Sequence, residues 1–203
     1  MTAAAAITIA EAAVRIRAIC GVPHVCPVTL NKGKPGILLE QLCGIPQTSN
    51  CLDCVDGEIK SFPVKRVLGR TGGRGGGGGG GGGRLVPKET VAITMLDRVL
   101  LSSQTFAESR CYTKLRHTLF VPYLREADTV TFMEPRLICL DTMPELCDRL
   151  RVDYDAIRDG FVADGILRSA MGVYLQTRTK GKGHGSISRA FYLRVRFLTE
   201  FIL

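Results

Sequence analysis

Nine consecutive glycines, Gly75 to Gly83, lie between Arg74 and Arg84 in a chain of 203 residues. Glycine has no side chain to bury and loses the most conformational freedom on ordering, so such a run holds neither helix nor strand. Any core must therefore be assembled from residues on both sides of the tract. It does not read as a domain boundary, because the strand-like Gly57 to Val64 before it and Thr90 to Met95 after it look like partners in one sheet. Flexible-chain statistics give the tract a span on the order of 20 Å, enough to join two strands. The expectation is one domain over residues 1–203, with a disordered glycine-rich loop at about 71–84.

Composition narrows the class. Hydrophobic residues make up 45% and charged residues 23%, the balance of an ordinary globular protein. A formal charge of +8 points to an anionic partner. The excess is concentrated late, where Arg168, Arg178, Lys180, Lys182, Arg189, Arg194 and Arg196 face Glu200 alone. Phosphate contacts use such a stripe. The apolar N-terminus lacks a leading basic region and is interrupted by Glu11, Arg15 and Arg17, which argues against a signal peptide or a membrane span. An intracellular protein, in cytoplasm or nucleus and not secreted, is expected.

Eight cysteines raise the question of zinc. Cys51 and Cys54 make one C-x-x-C pair, but Cys20, His24 and Cys26 do not supply a second pair at regular spacing, so reduced and mostly buried thiols are expected.

The pattern along the chain predicts a mixed sheet with flanking helices. Thr8 and Glu11 have capping-box spacing for a first helix, with Val14, Ile16 and Ile19 as its apolar positions. A turn at 31–36 leads to a helix from about Ile37 to Cys43, stopped by Gly44. Thr118 to Tyr123 and Thr129 to Leu140 read as strands, with Pro122 suited to an edge or a strand end. Asp141 or Thr142 caps a helix from Pro144 to about Val162. Gly172 to Thr177 and Ala190 to Val195 complete the strands, before a short apolar C-terminal helix. The glycine-rich loop at 180–185 lacks the spacing of a nucleotide-triphosphate loop, so no nucleotide cofactor is expected; a mobile basic loop against a nucleic-acid backbone suits it better.

The chemistry is concentrated near Glu58. Glu58 and Lys60 alternate with Ile59 on one strand, so the acid and the lysine share a face while Ile59 turns to the core. Asp53 and Asp56 stand just upstream, and Glu40 on the element before. This is the Asp…Glu-x-Lys arrangement of a metal-dependent nuclease: two carboxylates hold a hard cation, and an ammonium orients or deprotonates water. Asp53 is preferred to Asp56 as the second ligand, because a loop aspartate farther from Glu58 reaches the ion from another direction.

Five ordered blocks carry a family resemblance across about residues 31–203, with gaps. They are Lys32 to Gly44, Gly57 to Val64, Lys88-Glu89-Thr90, Lys114 to Pro122, and Gly172 to Arg178 followed by Arg189 to Leu193. Together they resemble the MutH family, which includes the mismatch-repair nicking endonuclease and GATC-cutting restriction enzymes. The resemblance implies a restriction-endonuclease-like α/β fold and hydrolysis of double-stranded DNA with Mg²⁺, or Mn²⁺ in its place. It implies Asp53, Glu58 and the Ile59 carbonyl as metal ligands, with Glu40 at the edge of the site through water or a second ion. Lys60 would act on the water and Lys114 would support the site. Arg178 and Tyr192 would meet the recognition sequence, with Thr179, Lys180, Lys182 and Arg189 on the DNA around them. The chain has Thr179 where the mismatch-repair enzyme has proline, and a glycine tract in place of a short loop. An activating partner or a second copy on DNA stays open. So do two rivals, a non-catalytic DNA-binding module and an RNA-binding protein using the arginine-glycine stretch.

Overall fold

The computed structural model describes residues 7–28, 33–46, 50–67, 83–180 and 188–203. Lys182, the nine-glycine run apart from Gly83, and the loop at 181–187 lie outside the described residues.

The first helix, α1 (Ile9–Arg17), begins at the predicted capping box: the Thr8 hydroxyl accepts from the Glu11 N–H, and the Glu11 carboxylate accepts from the Thr8 N–H. Its buried stripe is Ile9, Ala12, Ala13 and Ile16, whereas Val14 is exposed. The expected apolar face was rotated: positions 9, 12, 13 and 16 follow the 3.6-residue period, and Val14 falls opposite them. The short strand β1 (Pro23–Val25) follows. Helix α2 (Lys34–Cys43) starts three residues earlier than expected, because Pro35 occupies the first turn, where its missing N–H costs nothing. Gly44 ends it in the left-handed conformation, φ 59°.

The strand bearing Glu58 is β2 (Glu58–Val67), and its hairpin partner is β3 (Arg84–Pro87), paired from Val64↔Pro87 to Val67↔Arg84. The predicted partner, now β4 (Val91–Met95), belongs to a different sheet. Two short helices unseen in the sequence pattern come next, α3 (Arg98–Ser103), capped by Asp97, and α4 (Arg110–Arg116), capped by Ser109. Strand β5 (His117–Glu126) then lies parallel to β2, and β6 (Thr129–Phe132) and β7 (Arg136–Cys139) both pair antiparallel with β5. The predicted single strand from 129 to 140 is thus two, broken around Pro135.

Pro122 sits inside β5 rather than at an end. Beside it β5 changes neighbour: β7 pairs through Phe120 and β6 from Tyr123. A residue without an N–H is tolerated in that gap, and its carbonyl still accepts from Met133 N–H at 2.9 Å.

A 3-10 turn (Leu140–Thr142) takes up Asp141 and Thr142, so neither caps the long helix α5 (Pro144–Asp164), which begins at Met143 without a side-chain cap. Strands β8 (Leu175–Thr179) and β9 (Arg189–Leu193) form a three-stranded sheet with β4 in the order β4-β9-β8. Helix α6 (Val195–Phe201) ends the chain.

The larger sheet runs β1-β6-β5-β2-β3, with β7 also on β5; only its β2–β5 pair is parallel. Alternation along β2 and β5 assigns the two faces. Ile59, Leu119, Val121 and Tyr123 bury against α1 and α2. Phe62, Val64 and Phe120 turn the other way, into a core shared with the smaller sheet, α5 and α6. From α5 that core takes Leu146, Leu150, Tyr154 and Ile157. This is the mixed α/β architecture, sheet flanked by helices, of a restriction-endonuclease-like fold. Among the described residues no helix is long and apolar enough to cross a membrane.

Candidate active site

Residues 53–58 form a tight connection held from both sides. The Cys54 N–H donates to the Gly57 carbonyl at 2.9 Å, closing the turn. Val55 N–H donates to the Ile7 carbonyl at 3.0 Å. A Cβ at Gly57 would lie 2.8 Å from the His117 carbonyl oxygen and 3.2 Å from Ile9, so only glycine lets β2 start this close to β5.

The two aspartates have different partners. The Asp56 carboxylate accepts from the Ile9 N–H at 2.7 Å and so ties down the start of α1. The Asp53 carboxylate accepts from the Ile59 N–H at 3.0 Å. In a strand, the N–H and C=O of one residue point to the same edge. The Ile59 carbonyl therefore faces the edge where Asp53 sits, and β3 does not pair with β2 until Val64.

Glu58 is 1% exposed. A lone buried carboxylate is costly unless it is paired. Here Oε1 takes two ammonium groups, that of Lys60 from two positions along β2 and that of Lys114 from α4 at 2.6 Å. Oε2 is buried and has no hydrogen-bond partner among the described residues. A buried carboxylate oxygen with no partner among the described residues, an aspartate bonded to the next residue's N–H and that residue's carbonyl offer oxygen donors, the kind that a hard divalent cation takes.

Beneath this lies Cys54, whose thiol is pushed up to about 12 by burial first and then by the neighbouring carboxylates of Asp53, Asp56 and Glu58. It is a protonated packing group. Glu40 is half-buried on α2, one turn beyond Gly36, where an added Cβ would lie 3.3 Å from the Ser61 hydroxyl oxygen. The bare glycine lets α2 come this close to β2, and Glu40 lies on that helix.

A cleft of about 580 Å³ opens beside Lys60 and runs between the two sheets. Its near wall includes Lys60 and Phe62, and its far wall Arg178, Thr179, Lys180 and Tyr192. Four of the six expected DNA-facing residues thus share one cavity with the lysine of the acid site. The Arg178 guanidinium lies 5.9 Å from the Tyr192 ring centroid and donates to the Thr90 hydroxyl at 3.0 Å. Thr90 and its neighbour Glu89 also line the cleft. A threonine just before a strand carries no signal of such a position, and the sequence reading gave Thr90 no part in the site.

The remaining basic residues separate. Arg189 is not among the lining residues and donates to the Ser169 hydroxyl at 3.3 Å. Arg168 pairs with Asp164, Arg196 with Glu200, and Arg194 donates to the carbonyls of Ser169 and Met171. The basic stripe anticipated at the C-terminal end is therefore in good part structural, because helix and loop geometry set acids and carbonyls beside those arginines.

Residues 49–141 match the protein family described as DNA mismatch repair enzyme MutH. This chain is MutH-like. The MutH match takes in Asp53, Glu58, Ile59, Lys60 and Lys114, and it ends before Arg178 and Tyr192. The MutH family is one of DNA endonucleases acting in mismatch repair, and a match over just under half of the chain supports a nucleolytic activity with DNA as the partner. No curated protein matches the chain significantly.

Proposed function

We propose that this chain is a Mg²⁺-dependent endonuclease that hydrolyses phosphodiester bonds of double-stranded DNA at or near GATC-type sites, with Mn²⁺ able to replace Mg²⁺. The observation that carries the proposal is Glu58, buried with one oxygen on two lysines and the other without a hydrogen-bond partner among the described residues. Asp53, Glu58 and the Ile59 carbonyl would hold the ion, with Glu40 at its margin. Bound there, a divalent cation polarises the phosphate and lowers the pKa of a water.

The chain's own residues supply the rest. At the acid site the charges of Asp53 and Glu58 balance those of Lys60 and Lys114, so a bound divalent cation would supply the local positive charge that an incoming phosphodiester needs. Lys60, on the cleft side, orients the attacking water. Lys114, held on Glu58, stabilises negative charge developing on phosphorus oxygens. Arg178, steadied by Thr90 and Tyr192, has the fork geometry to read a guanine edge. Thr179 and Lys180, and with them Lys182, contact the backbone. One copy has one such site and nicks one strand; a double-strand cut takes two copies, and an activating partner can govern either. An intracellular setting belongs to this reading, and the eight free cysteines support it.

The test is incubation of supercoiled plasmids with and without GATC, in Mg²⁺ or EDTA, comparing wild type with Glu58→Ala. Cutting confined to GATC plasmid, dependent on Mg²⁺ and lost in the variant is the expected result. DNA binding without cutting under any condition would instead favour a DNA-binding module that has lost catalysis.

A further inference from the structure

His117, the first residue of β5, is the register partner of Cys139 on β7, and Asp141 follows two residues later in the 3-10 turn. A His117 ring nitrogen, the Cys139 sulfur and an Asp141 carboxylate oxygen all lie within 4.8 Å of one another. None of the three belongs to the Asp53–Glu58 site.

The ring carries the decisive detail. Its Nδ1 lies 3.1 Å from the Asp56 carbonyl oxygen. A carbonyl only accepts, so Nδ1 bears the proton. In the neutral ring Nε2 then carries a lone pair, and it faces an Asp141 oxygen at 3.1 Å. Two lone pairs that close call for a cation, either a proton or a metal ion. The Arg116 guanidinium donates to both Asp141 oxygens, at 2.9 and 3.0 Å.

The sulfur favours the metal. A proton between Nε2 and Asp141 leaves Cys139 without a role, whereas a borderline-soft divalent ion takes imidazole, thiolate and carboxylate together. Tetrahedral zinc with ordinary bond lengths sets its ligand atoms roughly 3.3–3.8 Å apart. The nitrogen and oxygen, 3.1 Å apart, are already near that spacing, and the sulfur lies within 4.8 Å of both. An Nδ1–H bond to a backbone carbonyl is also the usual device for aiming the other nitrogen at a metal. His117, Cys139 and Asp141 are all partly exposed, which leaves a path in and a fourth position for water.

The geometry points to a second metal centre, for zinc or a similar transition-metal ion, formed by His117, Cys139 and Asp141 and separate from the oxygen-only site. The nearby Arg116 charge makes it weaker than a closed four-ligand zinc site. Because the carbonyl that orients His117 belongs to Asp56, an ion here braces the same turn that carries Asp53.

Cobalt(II) is the probe. Chelator-treated full-length protein titrated with Co²⁺ should develop a thiolate-to-cobalt absorption and tetrahedral d–d bands, both displaced by Zn²⁺. The signal should persist in Glu58→Ala and Cys51→Ser, and vanish in Cys139→Ser and His117→Ala. Asp141→Asn, an exposed position that guards against misfolding of the others, should weaken Co²⁺ affinity roughly tenfold or more. Absence of a thiolate band in the wild type, or a band unchanged in Cys139→Ser and Asp141→Asn, would overturn the proposal and leave His117 holding a proton.

Discussion

Asp53 and Asp56 are three positions apart and hold different things, one the N–H of Ile59 and the other the N–H of Ile9. Their substitutions should therefore separate. Asp53→Ala removes a carboxylate from the edge where Glu58 and the Ile59 carbonyl meet, and should reduce plasmid cutting by roughly 10²-fold or more while the protein stays folded. Asp56→Ala loses one hydrogen bond to the start of α1, and should cost about 1 kcal/mol in urea unfolding with cutting largely kept. Equal loss of cutting in both, measured on equally folded protein, would mean that the turn acts as a unit. The residues of this site were legible because β-strand periodicity alone sets Glu58 and Lys60 on one face. How Asp53 and Asp56 divide their contacts was less so, since that depends on α1 packing against the turn, and nothing local to residues 53–58 encodes it.

Elements were read best where a local signal fixed them. The capping box of α1 and the Gly44 stop of α2 carry such a signal, whereas α5 forms in the expected place without the expected cap. Strand partners were misread, because pairing is settled by tertiary fit: β3 is only four residues long and lies at the exit of the glycine tract, while β4 joins β9 across the molecule. The junction of α5 with β8 is another feature without a sequence signature. Asp153, buried in α5, accepts from the N–H groups of Val173, Tyr174 and Leu175 at 2.7, 2.6 and 2.8 Å. Gly172, at φ 79°, makes the turn that aims them. Asp153→Ala should leave these donors without their acceptor and cost about 3 kcal/mol or more, read as a lower urea midpoint. Since β8 ends in Arg178 and Thr179, DNA binding should weaken in the same variant before cutting chemistry does. An Asp153→Ala protein of unchanged stability would show that the strand is anchored by its sheet alone.

At the scale of the whole molecule, five surface carboxyls among the described residues are lowered in the fold: Glu11 and Glu108 chiefly by backbone hydrogen bonds, Asp141 and Asp164 by arginines, Glu200 by the Tyr174 hydroxyl. In that range the folded protein binds fewer protons than the unfolded chain, so their contribution is complete above the ordinary carboxyl values and is lost as pH falls through the lowered ones. Thermal midpoints should therefore hold from neutral pH down to about 5 and fall below about 4. A midpoint flat to pH 3 would show that these contacts carry no net stability. The glycine tract is a question at the same scale. Val67 and Arg84 are register partners, so the segment between them starts and ends at one point on the sheet edge. A hairpin needs only two to five residues to close. Deleting Gly75 to Gly83 leaves seven residues between the paired positions, enough for closure, and touches neither Glu58 nor Arg178. The shortened protein should keep its thermal midpoint within a few degrees and its plasmid cutting within about threefold, because loop length enters stability only logarithmically. Loss of nucleic-acid binding on deletion, with the fold intact, would instead give the arginine-glycine segment the binding role and make RNA the partner to test.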